Sequence, residues 1–459
     1  MLKHNPALTL LKILILLAPL PFGCVGRIFS PLFYLLVLIF TLIAIGQAHS
    51  PSHFLYEKKV RLFFYVFIAF LAFQSIPLPV FLLKIISPAV VRNLAHFKDQ
   101  VPAFHSLSLV PYETIVFAAK FIVFALFFQV MINLDLEKKE IFSIADTLAL
   151  SAGLQAALGL LKYLQGNRYF FLFFYEIDKS DKLARFLTGT LGNPDHFAFY
   201  LEMILPIVLA LFFLKLQYFE GGKSLREKFL SAIQESKRTA AYFILIVLLG
   251  CAVVLSGSRA GIMTMIFSFM IFAQFSFYLK RSRTVRKKLK LFFIIIAAAV
   301  VLLGVQNTVG KFLSTRIENS GRFLRWPATL DMAGDYLLFG SGFGSYRYVY
   351  FLYDPDEGGE WSTHAHSDYL ETAAEGGVIG SLLFFLVIGA AMFSIIKMWL
   401  ERKRPDVKMM GIGIITGMFA AALHSVFDFS LHIPANAFTF VLVLVLGIKI
   451  ATYKREFSG

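Results

Sequence analysis

Apolar residues recur along this chain in blocks of about 20, the length an α-helix needs to cross a hydrocarbon layer. Each block is bounded by charge or by Pro and Gly. The pattern predicts helices over residues 7–23, 29–47, 60–84, 113–133, 141–164, 196–216, 240–256, 259–279, 291–308, 376–397, 409–427 and 433–452. Spanning segments must satisfy their own backbone hydrogen bonds in lipid, so these blocks define an all-α, polytopic membrane protein with about 12 transmembrane helices.

The polar connections differ from one side to the other. Alternating them places on one face Lys58, Lys59 and Arg61; Lys138 and Lys139; Lys223, Arg226, Lys228, Lys237 and Arg238; the run KRSRTVRKKLK from Lys280 to Lys290; Arg402, Lys403, Arg404 and Lys408; and Lys454 with Arg455. The positive-inside rule makes that face cytoplasmic, with both termini on it, in an inner membrane. One missed helix would throw every later cluster onto the wrong side, so the agreement supports the count. The other face holds three sizeable connections, 85–112, 165–195 and 309–375. The last far exceeds an ordinary loop. It is expected to cap a single membrane domain over residues 1–459 as an extracytoplasmic loop, with short helices around RFLRWPATLDMAGDYL at 322–337. No internal repeat or low-complexity segment interrupts this organisation.

Composition sharpens the picture. At 58% hydrophobic and 16% charged residues, the chain is too apolar for a soluble surface of this size. Its net charge of +15 sits mostly in the short clusters between apolar blocks, where it orients helices; no nucleic-acid partner is expected. Two cysteines, Cys24 and Cys251, supply neither a disulfide framework nor a CxxC metal pair. The start, MLKHNP with an apolar run to PFGC, has the look of a signal peptide, but Pro21-Phe22-Gly23 lacks the small residues cleavage prefers, so it reads as a retained helix.

Candidate chemistry gathers on the extracytoplasmic side. Arg259, in SGSRAG, stands where arginine is disfavoured, either as a snorkelling anchor or as a guanidinium held for a phosphate, with Ser256 and Ser258 as neutral donors. The long loop adds Arg316, Arg322 and Arg325, which could pair with local acids or could join Arg259 around one anionic group. Gly340-Ser-Gly-Phe-Gly344 lacks the lysine and strand of a nucleotide loop and reads as a tight turn or close packing. In THAHSDYLETAAEGG, residues 363–377, His364 and His366 are followed by Asp368, Glu371 and Glu375. Imidazole is suited to accepting a proton from a sugar hydroxyl; a metal site and locally satisfied loop histidines are the rivals. GNPDHFAFYLEM, 192–203, reads as a capped helix start with His196 and Glu202 just inside, and HSVFDFSLHIPANA, 424–437, sets His424 one turn from Asp428.

SGSRAG, the SGRFLRW and GSGFGSY pair, HAHSDYL followed by EGGVIG, and HSVFDFSLHIPANA occur here in the order in which the O-antigen ligase and polymerase superfamily of bacterial envelope glycosyltransferases carries similar strings. GNPDHFAFYLEMILP and the outer loop at Ser87 and Pro88 also fit, so the chain resembles that superfamily over most of its length. The resemblance implies transfer of a glycan from an undecaprenyl diphosphate carrier to an acceptor hydroxyl, on a lipid or glycan, among membrane lipids. It implies an enzyme with no metal or other cofactor, and a single displacement at the anomeric carbon would make it inverting. Carried over, it makes Arg259 and Arg322 the diphosphate-binding arginines, His366 the catalytic histidine and Asp428 a recurrent acid. Arg325, Arg316, His364 and Asp428 are then expected to bind substrate, with Arg325 an alternative to Arg322 and His364 to His366. Ser367 departs from the usual Asn. Ligase and polymerase share these strings; a transporter or flippase of an anionic lipid or solute is the non-enzymatic alternative.

Overall fold

The computed structural model describes residues 5–46, 55–94, 96, 101–165, 186–217, 225–278, 321–353 and 363–453. The span expected over 291–308 and Arg316 lie outside them. In chain order the helices are α1 (Pro6–Leu17), α2 (Phe29–Ile45), α3 (Leu55–Ser75), α4 (Val80–Ile86), α5 (Pro88–Leu94), α6 (Pro111–Asn133), α7 (Lys138–Leu164) and α8 (Pro194–Gln217). They continue with α9 (Leu225–Leu255), α10 (Arg259–Tyr278), α11 (Gly321–Asp335), α12 (Tyr346–Val349), α13 (Asp368–Leu400), α14 (Pro405–His424) and α15 (Pro434–Thr452). Two short strands, β1 (Leu78–Pro79) and β2 (Phe104–His105), pair antiparallel. Eight helices, α6–α10 and α13–α15, are long and apolar enough to cross a membrane, and α1, α2 and the Arg61–Ser75 part of α3 are shorter apolar helices. The protein is an all-α polytopic membrane protein, and every predicted block except 291–308 has its helix among the described residues.

The bundle has two ends of different chemistry. At one, Lys138 pairs with Asp406, Lys449 donates to the Leu134 carbonyl, and Arg402 donates to the Tyr453 carbonyl at 2.6 Å. These bonds gather the ends of α6, α7, α13, α14 and α15 that carry the expected cytoplasmic charges. The other end holds the histidines and carboxylates and is called the site end below. At the centre runs α8, buried along almost its whole length and packed by α7, α9, α10, α14 and α15. The closest approach is to α14, where Gly413 and Gly417, one turn apart, meet the Pro206 and Met203 carbonyls. A Cβ at either glycine would lie 2.5 or 2.4 Å from those oxygens, which is why small residues at this spacing mark helix contacts in membranes.

A second, smaller core stands at the site end. Leu83, Val90, Leu107, Met332, Tyr336 and Val349 bury one another there, joining α4, α5, the segment after β2, α11 and α12 into a cap. The helix expected around 322–337 is present as α11. Two expectations need correction. The block 60–84 does not continue as one helix: α3 stops at Ser75, because Pro77 and Pro79 remove backbone donors and push the preceding residues into extended backbone. The loop expected to run to residue 375 ends at Ser367, since α13 already begins at Asp368.

What hid that earlier start is a break inside α13. Gly377 has φ 60° and ψ −168°, outside helical geometry. Polar backbone left over by a break in a membrane helix has to be satisfied by neighbouring protein. Here the turn at 337–342 does so: Val378 N donates to the Leu337 carbonyl at 2.8 Å and Ile379 N to Leu338 at 3.1 Å. In return, the Ala374 and Glu375 carbonyls accept from Ser341 N and Gly342 N, each at 3.0 Å. The Gly340–Gly344 run therefore packs against backbone; a Cβ on Gly340, itself at φ +73°, would stand 2.0 Å from the Glu375 oxygen.

Candidate active site

Three local constructions bring the site together. In SGSRAG, Gly257 turns the chain at φ +66° and Ser258 caps α10, its hydroxyl accepting from Gly261 N at 3.0 Å and donating to Asp195. Gly261 lets α10 close on α8, since a Cβ would sit 2.8 Å from the Glu202 carboxylate. Arg259 is thereby the first residue of α10. In GNPDH, Asn193 accepts from Asp195 N at 2.8 Å, capping α8 and setting His196 in its first turn. In HAHSD, Ser367 caps α13, and Asp368 N donates to the Ser425 and Asp428 carbonyls at 3.0 and 3.1 Å. That clamp fixes the histidine string against the α14–α15 connection.

His366 takes a left-handed backbone conformation, φ 51°. A non-glycine residue there costs about 1–3 kcal/mol and persists only where the surroundings over-determine it. Its Nδ1 lies 3.4 Å from one oxygen of the fully buried Asp428, whose other oxygen accepts from Ser430 and lies 3.5 Å from His196 Nε2. His364 turns away to Glu371, Nδ1 to Oε1 2.8 Å, while the second Glu371 oxygen accepts from Ala365 N at 2.9 Å. The two histidines of the HxH string thus serve two different carboxylates. A single phenyl ring organises them: Phe429 is stacked by His364 at 4.0 Å and met edge-on by His366 at 4.9 Å and His196 at 4.8 Å.

Sequence reasoning missed His432 and Phe429. His432 bridges two carboxylates, Nδ1 to Asp368 at 3.0 Å and Nε2 to Glu371 at 3.2 Å. The signal was present in HSVFDFSLHIP, a histidine four residues past Asp428 beside a helix-starting proline. His424 does not pair with Asp428; it reaches Glu202 on α8, 3.0 Å away and buried. Half of the ten histidines in the chain, residues 196, 364, 366, 424 and 432, are therefore tied to buried carboxylates at this end.

His364, Glu371 and His432 offer three ligand atoms within 4.8 Å of one another, the metal-capable group among the described residues. It is a different set from the one HxH suggested, because His366 belongs to Asp428. Burial opposes charge on His432, but Glu371 and Asp368, with Glu375 behind them, outweigh it and push its pKa up to about 10. A raised histidine pKa stabilises the fold fully below its ordinary value of 6.5 and loses that contribution as pH rises through about 10. Thermal unfolding followed from pH 6 to 10 is expected to show a falling midpoint, with a shallower fall in His432→Gln. Identical slopes would remove His432 as the source.

Arg259 belongs to α10 and Arg322 and Arg325 to α11, both of which reach the site end. Arg259 follows Ser258, whose partner Asp195 adjoins His196, so contacts run from Arg259's turn through His196 and Asp428 to His366. Arg322 and Arg325 are on α11; the charge of Arg325 acts on Tyr346, whose hydroxyl meets Thr329 at 2.8 Å and whose N–H donates to Glu375 at 2.8 Å. Beneath the cluster opens a cavity of about 350 Å³, largely walled by apolar and aromatic side chains, with His432, Asp368 and Glu375 at its polar end.

These features define a class: a polytopic α-helical membrane protein with a histidine–carboxylate centre at one end of its bundle, arginine-bearing helices that reach the same end and an apolar chamber below. Residues 244–385 match the family model described as O-antigen ligase. The matched segment runs from α9 through SGSRAG and the histidine string into α13, and it supports a lipid-linked glycan ligase or polymerase type of activity. No curated protein matches this chain.

Proposed function

We propose that the protein is an inverting glycosyltransferase that moves a glycan from an undecaprenyl diphosphate carrier to an acceptor hydroxyl on the extracytoplasmic face of the bacterial inner membrane. The observation that carries this reading is the His366–Asp428 pair: Nδ1 is engaged by a buried carboxylate, which leaves Nε2 for a substrate proton. The acceptor hydroxyl attacks the anomeric carbon, His366 takes its proton, and the glycosyl–oxygen bond to the diphosphate breaks with inversion. Arg259 and Arg322 neutralise the departing diphosphate, with Arg325 and Arg316 as further cations and His364 orienting the acceptor. The N-termini of α8, α10, α13 and α15 face the same end and add partial positive charge.

The test is a transfer assay on purified protein with lipid-linked donor, run with and without a chelator. Consumption of donor unaffected by chelation is expected, because arginines carry the charge a divalent ion would otherwise carry. Loss of activity with rescue by zinc or magnesium would instead make His364, Glu371 and His432 a ligand set. The break in α13 is a feature of transporters. Its polar backbone, however, is bonded to the 337–342 turn, and the transport reading gains only if donor is bound but never consumed. Sidedness rests on charge. Reporters after Lys288 and after Arg404 should be cytoplasmic and one inserted near Gly358 extracytoplasmic, and a cytoplasmic Gly358 reporter would put the site on the wrong face.

A further inference from the structure

The chamber under the cluster contains a cation that the proposed chemistry leaves unused. Lys120 stands on its wall, the tenth residue of the 23-residue α6, about 14 Å from the helix's site end at 1.5 Å per residue. Helical side chains tilt toward the N-terminus, so the ammonium is carried toward the polar end of the chamber. A lysine at that depth in lipid is costly and marks a functional position by default. It lies over the face of Tyr34, 5.9 Å from the ring centroid, and within range of the charges of Glu113 and Arg347. Glu113, two turns away on the same helix, is occupied by Arg347 and Tyr348 at 2.6 and 2.7 Å.

The remaining walls are suited to a hydrocarbon chain, with Phe64, Phe121, Phe128, Val387 and Leu444 among them. The elements that line the chamber are α2, α3, α6, α13, α14, α15 and the connections beside them. None of its wall residues comes from α8, α10 or α11, the helices that bear His196, Arg259, Arg322 and Arg325. The histidine cluster therefore opens on an apolar chamber with its own cation, walled by helices other than those that bear the arginines. A transfer between two lipid-borne molecules needs two seats.

We propose that this chamber seats the lipid chain of an anionic, lipid-anchored acceptor, whose phosphate is held by Lys120 while its hydroxyl is presented to His366. Calling the occupant an acceptor rests on the transferase reading; the anionic-lipid seat does not. The seat is tested by titrating dodecyl phosphate and dodecanol into the purified full-length protein in phosphatidylcholine nanodiscs. A charge-assisted contact makes the phosphate bind about ten-fold more tightly. Lys120→Met should abolish that preference and Lys120→Arg should keep it, which also reports on folding. Gly389→Phe, placed on the chamber wall where a Cβ meets nothing within 4 Å, should weaken both probes. Equal binding of the two probes, or a preference that survives Lys120→Met, overturns the seat. In transfer kinetics Lys120→Met should raise the KM for acceptor and leave that for donor. A raised donor KM instead assigns the chamber to the donor and overturns the acceptor. If the native protein transfers no glycan yet keeps the Lys120-dependent preference, the transferase reading fails and the seat stands.

Discussion

His366→Ala is expected to lower the transfer rate by about 10²- to 10⁴-fold, the usual worth of a positioned proton acceptor, while donor affinity is largely kept. The imidazole sits in a strained left-handed turn with Nδ1 on Asp428, and its loss removes the acceptor without removing any arginine. Asp428→Asn should have a related but distinct effect, since an amide cannot stabilise imidazolium and the pH–rate profile should move as well as the rate. His364→Ala should do less, because His364 is held by Glu371 in the neighbouring pair. Donor binding and transfer rate are to be measured on the same purified variants, with membrane insertion checked first. A fully active His366→Ala beside a dead His364→Ala would exchange the two roles; full activity in both would end the proposed chemistry.

Conservative replacement of the arginines should be nearly as damaging. Arg259→Lys and Arg322→Lys keep a positive charge but lose the planar fork that engages two phosphate oxygens at once. If that fork stabilises charge growing on the diphosphate in the transition state, turnover should drop by about 10²-fold, as when one donor to a developing anion is removed. The informative quantity is the split between kcat and KM. A fall in kcat with KM nearly unchanged places the arginine in the transition state, whereas a raised KM alone means it only binds. Arg259 is the sharper test, because the Ser258 cap and the Gly261 contact fix the start of its helix against α8.

Much of this protein was legible in its sequence because lipid imposes a single dominant constraint. Twenty apolar residues between polar punctuation have to be a helix, so the all-α fold and most spans followed from hydropathy alone. Capping chemistry is local too, and Asn193 announces its helix from its immediate neighbours. The family resemblance rested on short strings, and residues 244–385 match the corresponding family model. Other features depend on contacts between residues far apart in the chain. That His364 and His366 serve different carboxylates, that His424 goes to Glu202, and that Phe429 and His432 complete the cluster are such facts. Hydropathy also placed the start of α13 too late, since Asp368, Glu371 and Glu375 read as loop until the fold supplies buried partners for them and a glycine turn for the break at Gly377. Periodicity and local propensity report what a segment can become; which polar groups share one dry site is decided when distant helix ends are packed against each other, where an unpaired polar group would be most costly.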